Sequence, residues 1–380
     1  MLQDVCALIY AGEENPNLRD LVMSRSVAAL PVGGRYRAID FLLSNMVNSG
    51  IRNVGIITQK NFKSLSDHLG SGKEWDLSRK KDGLFMLPPF DSTSSAHLYR
   101  GMCDAIHSKL DYLEKASQSY CLLTGSYTVY SADYELMMKA HLEHNADITM
   151  LYSQEPLDFP GQERFKDVRV STDEEGRVRD LEVDSNNMRS PKLGMDVYLV
   201  KKSLLEYLVQ NSCARGGYRF VSDVLIPNLR NLRIFAVRHD GYVQRLHSVY
   251  AYYKLNMDML DSKVRKDLFR PGRPVYTKIK DEPPVRYMEG AHINNCILGD
   301  GCELYGSAEG SVLFRGVALG RGARAKNSII GQGTAVGANC ELENVITDKY
   351  VRIRKGVRQD RKSTRLNSSH PTTSRMPSSA

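Results

Sequence analysis

Only a few stretches of this 380-residue sequence gather side chains that could do chemistry. The apolar run Asp4–Tyr10 leads into a polar loop, Ala11-Gly12-Glu13-Glu14-Asn15-Pro16, in which a glycine is followed by two carboxylates. The apolar run Tyr120–Thr124 leads into Gly125-Ser126-Tyr127. In an α/β sheet, ligands bind at the carboxyl ends of the strands, which makes these two loops the first candidate sites. Asp133 and Asp240 are further carboxylates, but Asp133 stands just before a helical pattern, where an N-cap is the simpler role. His292 could act as a base in acyl transfer, although no long loop near it would cover such a site. The seven cysteines (6, 103, 121, 213, 296, 302 and 340) are scattered, odd in number and never form C-x-x-C. Neither a zinc site nor a disulfide framework is expected, and a reducing cytoplasm is the expected compartment. The basic run Lys263–Arg273 contains one aromatic residue, Phe269, and reads as a solvated linker rather than a nucleic-acid site.

These residues need a scaffold, and the composition supplies one. Hydrophobic residues make up 42% and charged residues 25% of the chain, ordinary globular values that exclude a disordered, collagen-like or coiled-coil chain. The length suggests roughly two to three domains. No apolar run approaches the roughly 18 residues of a membrane span, and no Lys or Arg precedes Arg19 to open a signal peptide. From residue 1 to about 260, strand-like and helix-like segments alternate. Strands are expected at Asp4–Tyr10, Asn53–Thr58, Tyr120–Thr124, Asp147–Tyr152, Met195–Val200 and Arg233–Val237. Helices are expected at Arg37–Asn48, Cys103–Ala116, Tyr134–His144, Ser222–Leu229 and Ser248–Leu260. Residues 164–183 read as a β-hairpin turning at Asp173–Gly176. The alternation argues for an α/β sheet covered by helices.

From about 285 the texture changes. Small or aliphatic residues recur every six positions among many glycines, as in Val317–Ala323–Ile329 and Ile330–Val336–Leu342. A period of six fits a left-handed parallel β-helix, an architecture that commonly mediates association with another chain. Asp360–Ala380 breaks with everything before it. DRKSTRLNSSH, three variable residues and SRMPSSA read as the translation of a sequencing-adapter oligonucleotide flanking its index; the alternative is a natural disordered tail. Arg361, Lys362, Arg365 and Arg375 against Asp360 give this segment a net +3, so the formal charge of +8 falls to +5 without it. On that reading the natural C-terminus is truncated, and the basic balance is weak evidence for a nucleic-acid partner.

The block VGGRYRAIDFLLSNMVNSGIRNVGIITQ at 32–59 closely resembles a signature block of the bacterial ADP-glucose pyrophosphorylase (glucose-1-phosphate adenylyltransferase) family. LGSGKEWDL at 69–77 and GYVQRLHSVYAYYKLNMDML at 241–260 resemble further blocks, and the likeness runs from Val5 to about Val357. The resemblance implies a Rossmann-like, GT-A-type nucleotidyltransferase α/β domain at 1–262, a linker at 263–284 and a left-handed β-helix of hexapeptide repeats at 285–359. The family makes ADP-glucose for glycogen from ATP and glucose 1-phosphate. That transfer requires a glycine-rich loop for the triphosphate, a lysine beside the phosphates and carboxylates for Mg²⁺.

This sequence departs from the family pattern at each of those places. The L-A-G-G-x-G-x-R-L loop becomes Tyr10-Ala11-Gly12-Glu13-Glu14-Asn15-Pro16-Asn17-Leu18-Arg19, with two carboxylates where polyphosphate would lie. In R-x-K-P the lysine becomes Val27. G-D-H becomes Gly125-Ser126-Tyr127, and the second metal-binding Asp becomes Arg245. The E-K-P motif that holds the sugar phosphate would fall near Val183–Ser185, and no Lys occurs between Lys166 and Lys192. The chain is therefore expected to have no catalytic, cofactor-binding or metal-binding residues of its own. It resembles the family's non-catalytic D-type subunits, which implies a hetero-oligomer, expected to be a tetramer, with a catalytic C-type subunit that carries the Mg²⁺.

Arg25 and Arg37 match positions that bind phosphorylated effectors in catalytic relatives, although Ser24 and Pro31 depart from neighbouring effector positions; solvated or structurally paired arginines are the competing reading. Tyr99-Arg100-Gly101 resembles the nucleotide-side loop, with Met102 and Cys103 in place of small residues. The alternatives are a slow independent nucleotidyltransferase using Asp133 or Asp240, or a sugar-phosphate or nucleotide sensor.

Overall fold

The computed structural model describes residues 2–89, 98–154, 167–184 and 189–360. They form two units: the first holds Val32 and the residues before it, Tyr36–Leu255 and Asp261–Lys280, the second Gly33–Arg35, Asn256–Leu260 and the chain from Asp281 on.

The first unit is built on a nine-stranded mixed sheet. Its centre is β1 (Val5–Ala11), flanked in parallel by β2 (Asn53–Thr58) and β4 (Tyr120–Gly125), with β3 (Gly83–Leu87) beyond β2. All seven residues of β1 are buried. Val5, Ala7, Ile9 and Ala11 pack into one core and Cys6, Leu8 and Tyr10 into another, as the two-residue period of a strand covered on both faces requires. Helix α1 (Ala38–Asn48) closes the first of these cores with Ile39, Leu42, Leu43, Met46 and Val47.

Past β4, the short β5 (Thr128–Tyr130) leads to α2 (Tyr134–Glu143), which begins at the Asp133 cap, and to β6 (Ile148–Gln154). The expected hairpin is present as β7 (Val168–Thr172) and β8 (Val178–Val183), turning through Asp173–Gly176. β9 (Lys192–Lys201) runs antiparallel to β4 and β6, and α3 (Lys202–Cys213) follows it. β10 (Ile234–Arg238) pairs in parallel with β6. A separate two-stranded ribbon joins β11 (Val243–Arg245) to β5, with Arg245 opposite Thr128.

Two expected helices differ in detail. Cys103–Ala116 is two short helices, Met102–His107 and Leu110–Lys115, and the Ser108 hydroxyl turns back to the Ala105 carbonyl at the break. Ser222–Leu229 begins as a wide turn over Phe220–Leu225 and continues through Ile226–Asn228. Pro227 has no N–H for the Asp223 carbonyl, which accepts the Ser212 hydroxyl instead.

In the second unit, short strands stack into three parallel ladders, forming a parallel β-helix. In one ladder His292, Ser307, Arg324, Glu341 and Arg358 lie in register. Leu304, Leu313, Val317, Leu319, Ala323, Ile330, Val336 and Leu342 fill its interior. Asp360, placed above in the tail, belongs to the last strand, Arg358–Asp360, and the remainder of that tail lies outside the described residues. Within the segment expected to be a linker, Ser262–Leu268 is helical, and Arg273 and Tyr276 bond to Ser49 and Ser44.

Candidate active-site region

The two loops singled out in the sequence meet at the carboxyl end of the sheet, because β1 and β4 are paired with Tyr10 opposite Gly125. In the first loop Asn15 does most of the positioning. Its side chain caps the following turn by accepting the Asn17 N–H at 3.0 Å, and its amide donates to the Leu246 and His247 carbonyls at 3.3 and 3.0 Å. The loop is thereby tied to the chain that follows β11. Glu14 reaches outward to Lys60 at 2.9 Å. Glu13 turns inward and is 8% exposed. A Cβ added at Gly125 would lie 3.2 Å from a Glu13 carboxylate oxygen, so Glu13 and the second loop face each other.

The other wall comes from β9. Its register with β6 shifts between Gly194 and Tyr198, and within that irregularity Asp196 holds a φ of 58°. This left-handed backbone is uncommon for a residue with a side chain, though better tolerated by Asp than by most. It aims the Asp196 carboxylate at Gly125, where an added Cβ would clash with Asp196 Oδ2 and stand 2.9 Å from the Tyr127 ring. Burial, then Asp196, push the Tyr198 and Tyr127 hydroxyls well above their ordinary range, so both remain neutral phenols. Burial and Glu13 raise Tyr10 in the same way.

Into this acidic, phenol-lined space β11 delivers Arg245. Its side chain is 6% exposed, and its Nη1 donates to Asp167 Oδ1 at 2.5 Å. Its guanidinium carbon lies 5.3 Å from the centre of the Tyr127 ring. Burial disfavours the Arg245 charge, but hydrogen bonding to Tyr127 and pairing with the Asp167 carboxylate outweigh it and hold the guanidinium protonated. Asp167 is fixed in turn where the hairpin closes: its N–H donates to Asp184 Oδ1 at 2.9 Å, and its carbonyl accepts the Asp184 N–H at 2.8 Å. The carboxylate nearest to Arg245 thus already has its cation. The residues present do not fit a divalent metal ion, which would stand beside a buried, fixed positive charge. A polyphosphate fits no better, since it would meet Glu13 and Asp196 where backbone N–H groups would be needed.

The other sequence candidates are accounted for separately. Asp133 is the N-cap of α2, accepting the Glu135 N–H at 3.0 Å, and it pairs with Arg273 at 3.1 Å. Asp240 is exposed and pairs with Arg238 at 2.5 Å. Neither carboxylate belongs to the cluster around Arg245. Arg25 is buried, with its Nη2 3.4 Å from Ser24 Oγ, and Arg37 donates to the Ser64 carbonyl and hydroxyl at 2.6 and 2.9 Å. Burial lowers the Arg37 pKa; Asp40 opposes that shift and Arg25 adds to it, so the two arginines feel each other. The loop Tyr99-Arg100-Gly101 is closed from one side: a Cβ at Gly101 would lie 2.5 Å from the Tyr218 carbonyl, and Arg100 stacks on the Tyr218 ring at 5.0 Å. His292 is exposed on its ladder. Lys192 bonds to Thr172, and of the stretch expected to hold the sugar phosphate only Val183 and Asp184 lie among the described residues.

Sequence reasoning missed Asp167 and Asp196. Asp196 leaves a faint signal, a carboxylate interrupting the apolar run Leu193–Val200. Asp167 leaves none, because its partner lies 78 residues away.

Comparison with known proteins agrees with this architecture. Residues 6–240 match the family described as "Nucleotidyl transferase", and residues 283–364 match "GlmU-like, C-terminal hexapeptide". The chain is 35% identical to the glycogen biosynthesis protein GlgD of Bacillus subtilis (strain 168), over 90% of this chain and 88% of that protein. It is 37% identical to GlgD of Geobacillus stearothermophilus, over 80% and 78% of the two chains. It is also 32% identical to the glucose-1-phosphate adenylyltransferase of Geobacillus stearothermophilus, over 86% and 84%.

Proposed function

Because this chain belongs to the ADP-glucose pyrophosphorylase family of glycogen biosynthesis, we propose that it is a non-catalytic subunit of glucose-1-phosphate adenylyltransferase. In this reading it binds no Mg²⁺ of its own. It associates in the cytoplasm with a catalytic C-type paralogue that makes ADP-glucose from ATP and glucose 1-phosphate, and it modulates that partner.

The observation that carries the reading is the buried Arg245 guanidinium, paired with Asp167 at 2.5 Å at the position where the family pattern has a metal-binding carboxylate. Adenylyl transfer needs positive charge that can shift between the reacting phosphate oxygens, with a nucleophile able to reach the α-phosphorus. Arg245 supplies a positive charge, but it is fixed in the fold and already matched by a carboxylate. Glu13 and Asp196 add negative charge on the side from which the triphosphate would approach. Independent catalysis through Asp133 or Asp240 draws no support from their positions as a helix cap and a surface ion pair.

Three preparations test the proposal: this chain, a C-type partner, and the co-expressed pair, each assayed for ADP-glucose. The expected result is no product from the chain alone, co-purification of the two, and a pair whose turnover or apparent substrate affinity differs from the partner's. A pair that fails to form, or whose kinetics equal the partner's, would overturn it. The same assay, repeated with Arg25→Ala and Arg37→Ala chains across a panel of phosphorylated metabolites, asks whether these two arginines carry an effector response.

A further inference from the structure

The seven cysteines are scattered in the sequence, but two of them, 110 residues apart, meet in the fold with their sulfurs 3.7 Å apart. Cys103 lies in the first turn of the helix Met102–His107, and Cys213 is the last residue of α3. The Cys213 sulfur is also 3.8 Å from the Cys103 carbonyl, and the Cys103 N–H donates to the Tyr218 carbonyl at 3.0 Å.

We propose that Cys103 and Cys213 form a reversible disulfide that fastens the loop Tyr99–Gly101 and its helix to the end of α3. A disulfide needs the sulfurs at about 2.05 Å, so they must close by about 1.7 Å. Cys213 is the last residue of α3, and its carbonyl still accepts the Gly216 N–H at 2.9 Å, so rotation of the two side chains with a small shift of the helix end must bring the sulfurs together. Access is asymmetric, as a two-step exchange requires: Cys213 is half-buried and Cys103 fully buried. Cys6 and Cys121 also face each other, on β1 and β4, but neither reaches solvent.

The oxidant is a low-molecular-weight disulfide. The Cys213 thiolate attacks one of its sulfurs, the small disulfide's S–S bond breaks, and one thiol leaves with a proton. Cys103, deprotonated, then attacks the Cys213 sulfur and expels the second small thiol. The protein gives up two protons and two electrons, and one small disulfide becomes two thiols. Burial pushes the Cys103 thiol up to about 12, so the second step is slow at neutral pH and accelerates as pH rises.

The test is to incubate the full chain in oxidised and reduced glutathione at graded ratios, acid-quench, and analyse intact mass and peptides. The proposal predicts a species two mass units lighter, a peptide pair joined through Cys103 and Cys213, five remaining thiols, and reversal by reduced glutathione. Cys103→Ser should stop at a glutathione adduct on Cys213, and Cys213→Ser should keep its six thiols. A wild-type chain that accumulates the adduct without closing the bridge, a bridge between any other pair, or seven unreacted thiols at the most oxidising ratio would each overturn it. The outcome does not depend on whether the chain is catalytic.

Discussion

At the scale of single residues the account rests on Arg245. A buried ion pair contributes little net stability over a well-packed apolar pair, whereas removing one partner strands the other charge, typically at a cost of about 3–5 kcal/mol. Arg245→Met should therefore destabilise the chain by roughly that amount, because Asp167 keeps its place at the hairpin through Asp184 and loses its cation. Adding Asp167→Leu should recover most of the loss, and urea unfolding of the two single variants and the double variant would show it. Equal, additive losses in that cycle would mean that Arg245 and Asp167 are not energetically coupled.

A second residue-scale prediction concerns pH. Burial lowers the pKa of His141 below its ordinary 6.5; Lys201 adds to the shift and Asp147 opposes it. Burial also lowers His239. The unfolded chain then binds protons that the folded chain refuses, so stability is full above pH 6.5 and falls as pH drops below it. His141 sits against Thr149 at 2.8 Å with its other ring nitrogen unpartnered, and His141→Gln should flatten the slope of unfolding free energy between about pH 5 and 7. An unchanged slope in urea titrations across that range would assign it to other groups, His239 first among them. The Asp173 and Asp223 carboxylates, held low by hydrogen bonds against the opposing effect of burial, lose their contribution further down, as pH falls below their ordinary 3.8.

At the scale of elements, what could be read from the sequence depended on how local the determinant was. The apolar run of β1, the hairpin turn at Asp173–Gly176 and the Asp133 cap all follow from residues within a few positions of each other, and all are present. The break inside 102–115 and the wide turn over Phe220–Leu225 were missed because they depend on one side-chain back-bond and one proline placed late in a turn. The meeting of Arg245, Asp167, Asp196 and Glu13 draws on a loop, an irregular strand, a hairpin end and a separate ribbon, and no spacing in the sequence encodes it. The cap yields a prediction of its own. Asp133→Ala should cost about 1–2 kcal/mol through loss of the α2 cap and the Arg273 pair. It should leave ADP-glucose synthesis by the co-expressed pair unchanged once both proteins are folded; a loss of turnover without a loss of stability would return Asp133 to the catalytic candidates.

At the scale of the whole molecule, the chain carries a nucleotidyl transferase domain followed by a hexapeptide region, and the proposal is that the first of these no longer performs the family's chemistry. Among the described residues no helix is long and apolar enough to cross a membrane. A non-catalytic chain, as proposed, would act through what it touches. The most direct measurement of that claim pairs it with a C-type partner whose own catalytic residues have been substituted, and assays ADP-glucose with Mg²⁺, ATP and glucose 1-phosphate. The account predicts a stable complex with no product above background. Product that appears only in the presence of this chain and disappears with EDTA would contradict it, and would mean that a metal finds a place beside Arg245 after all.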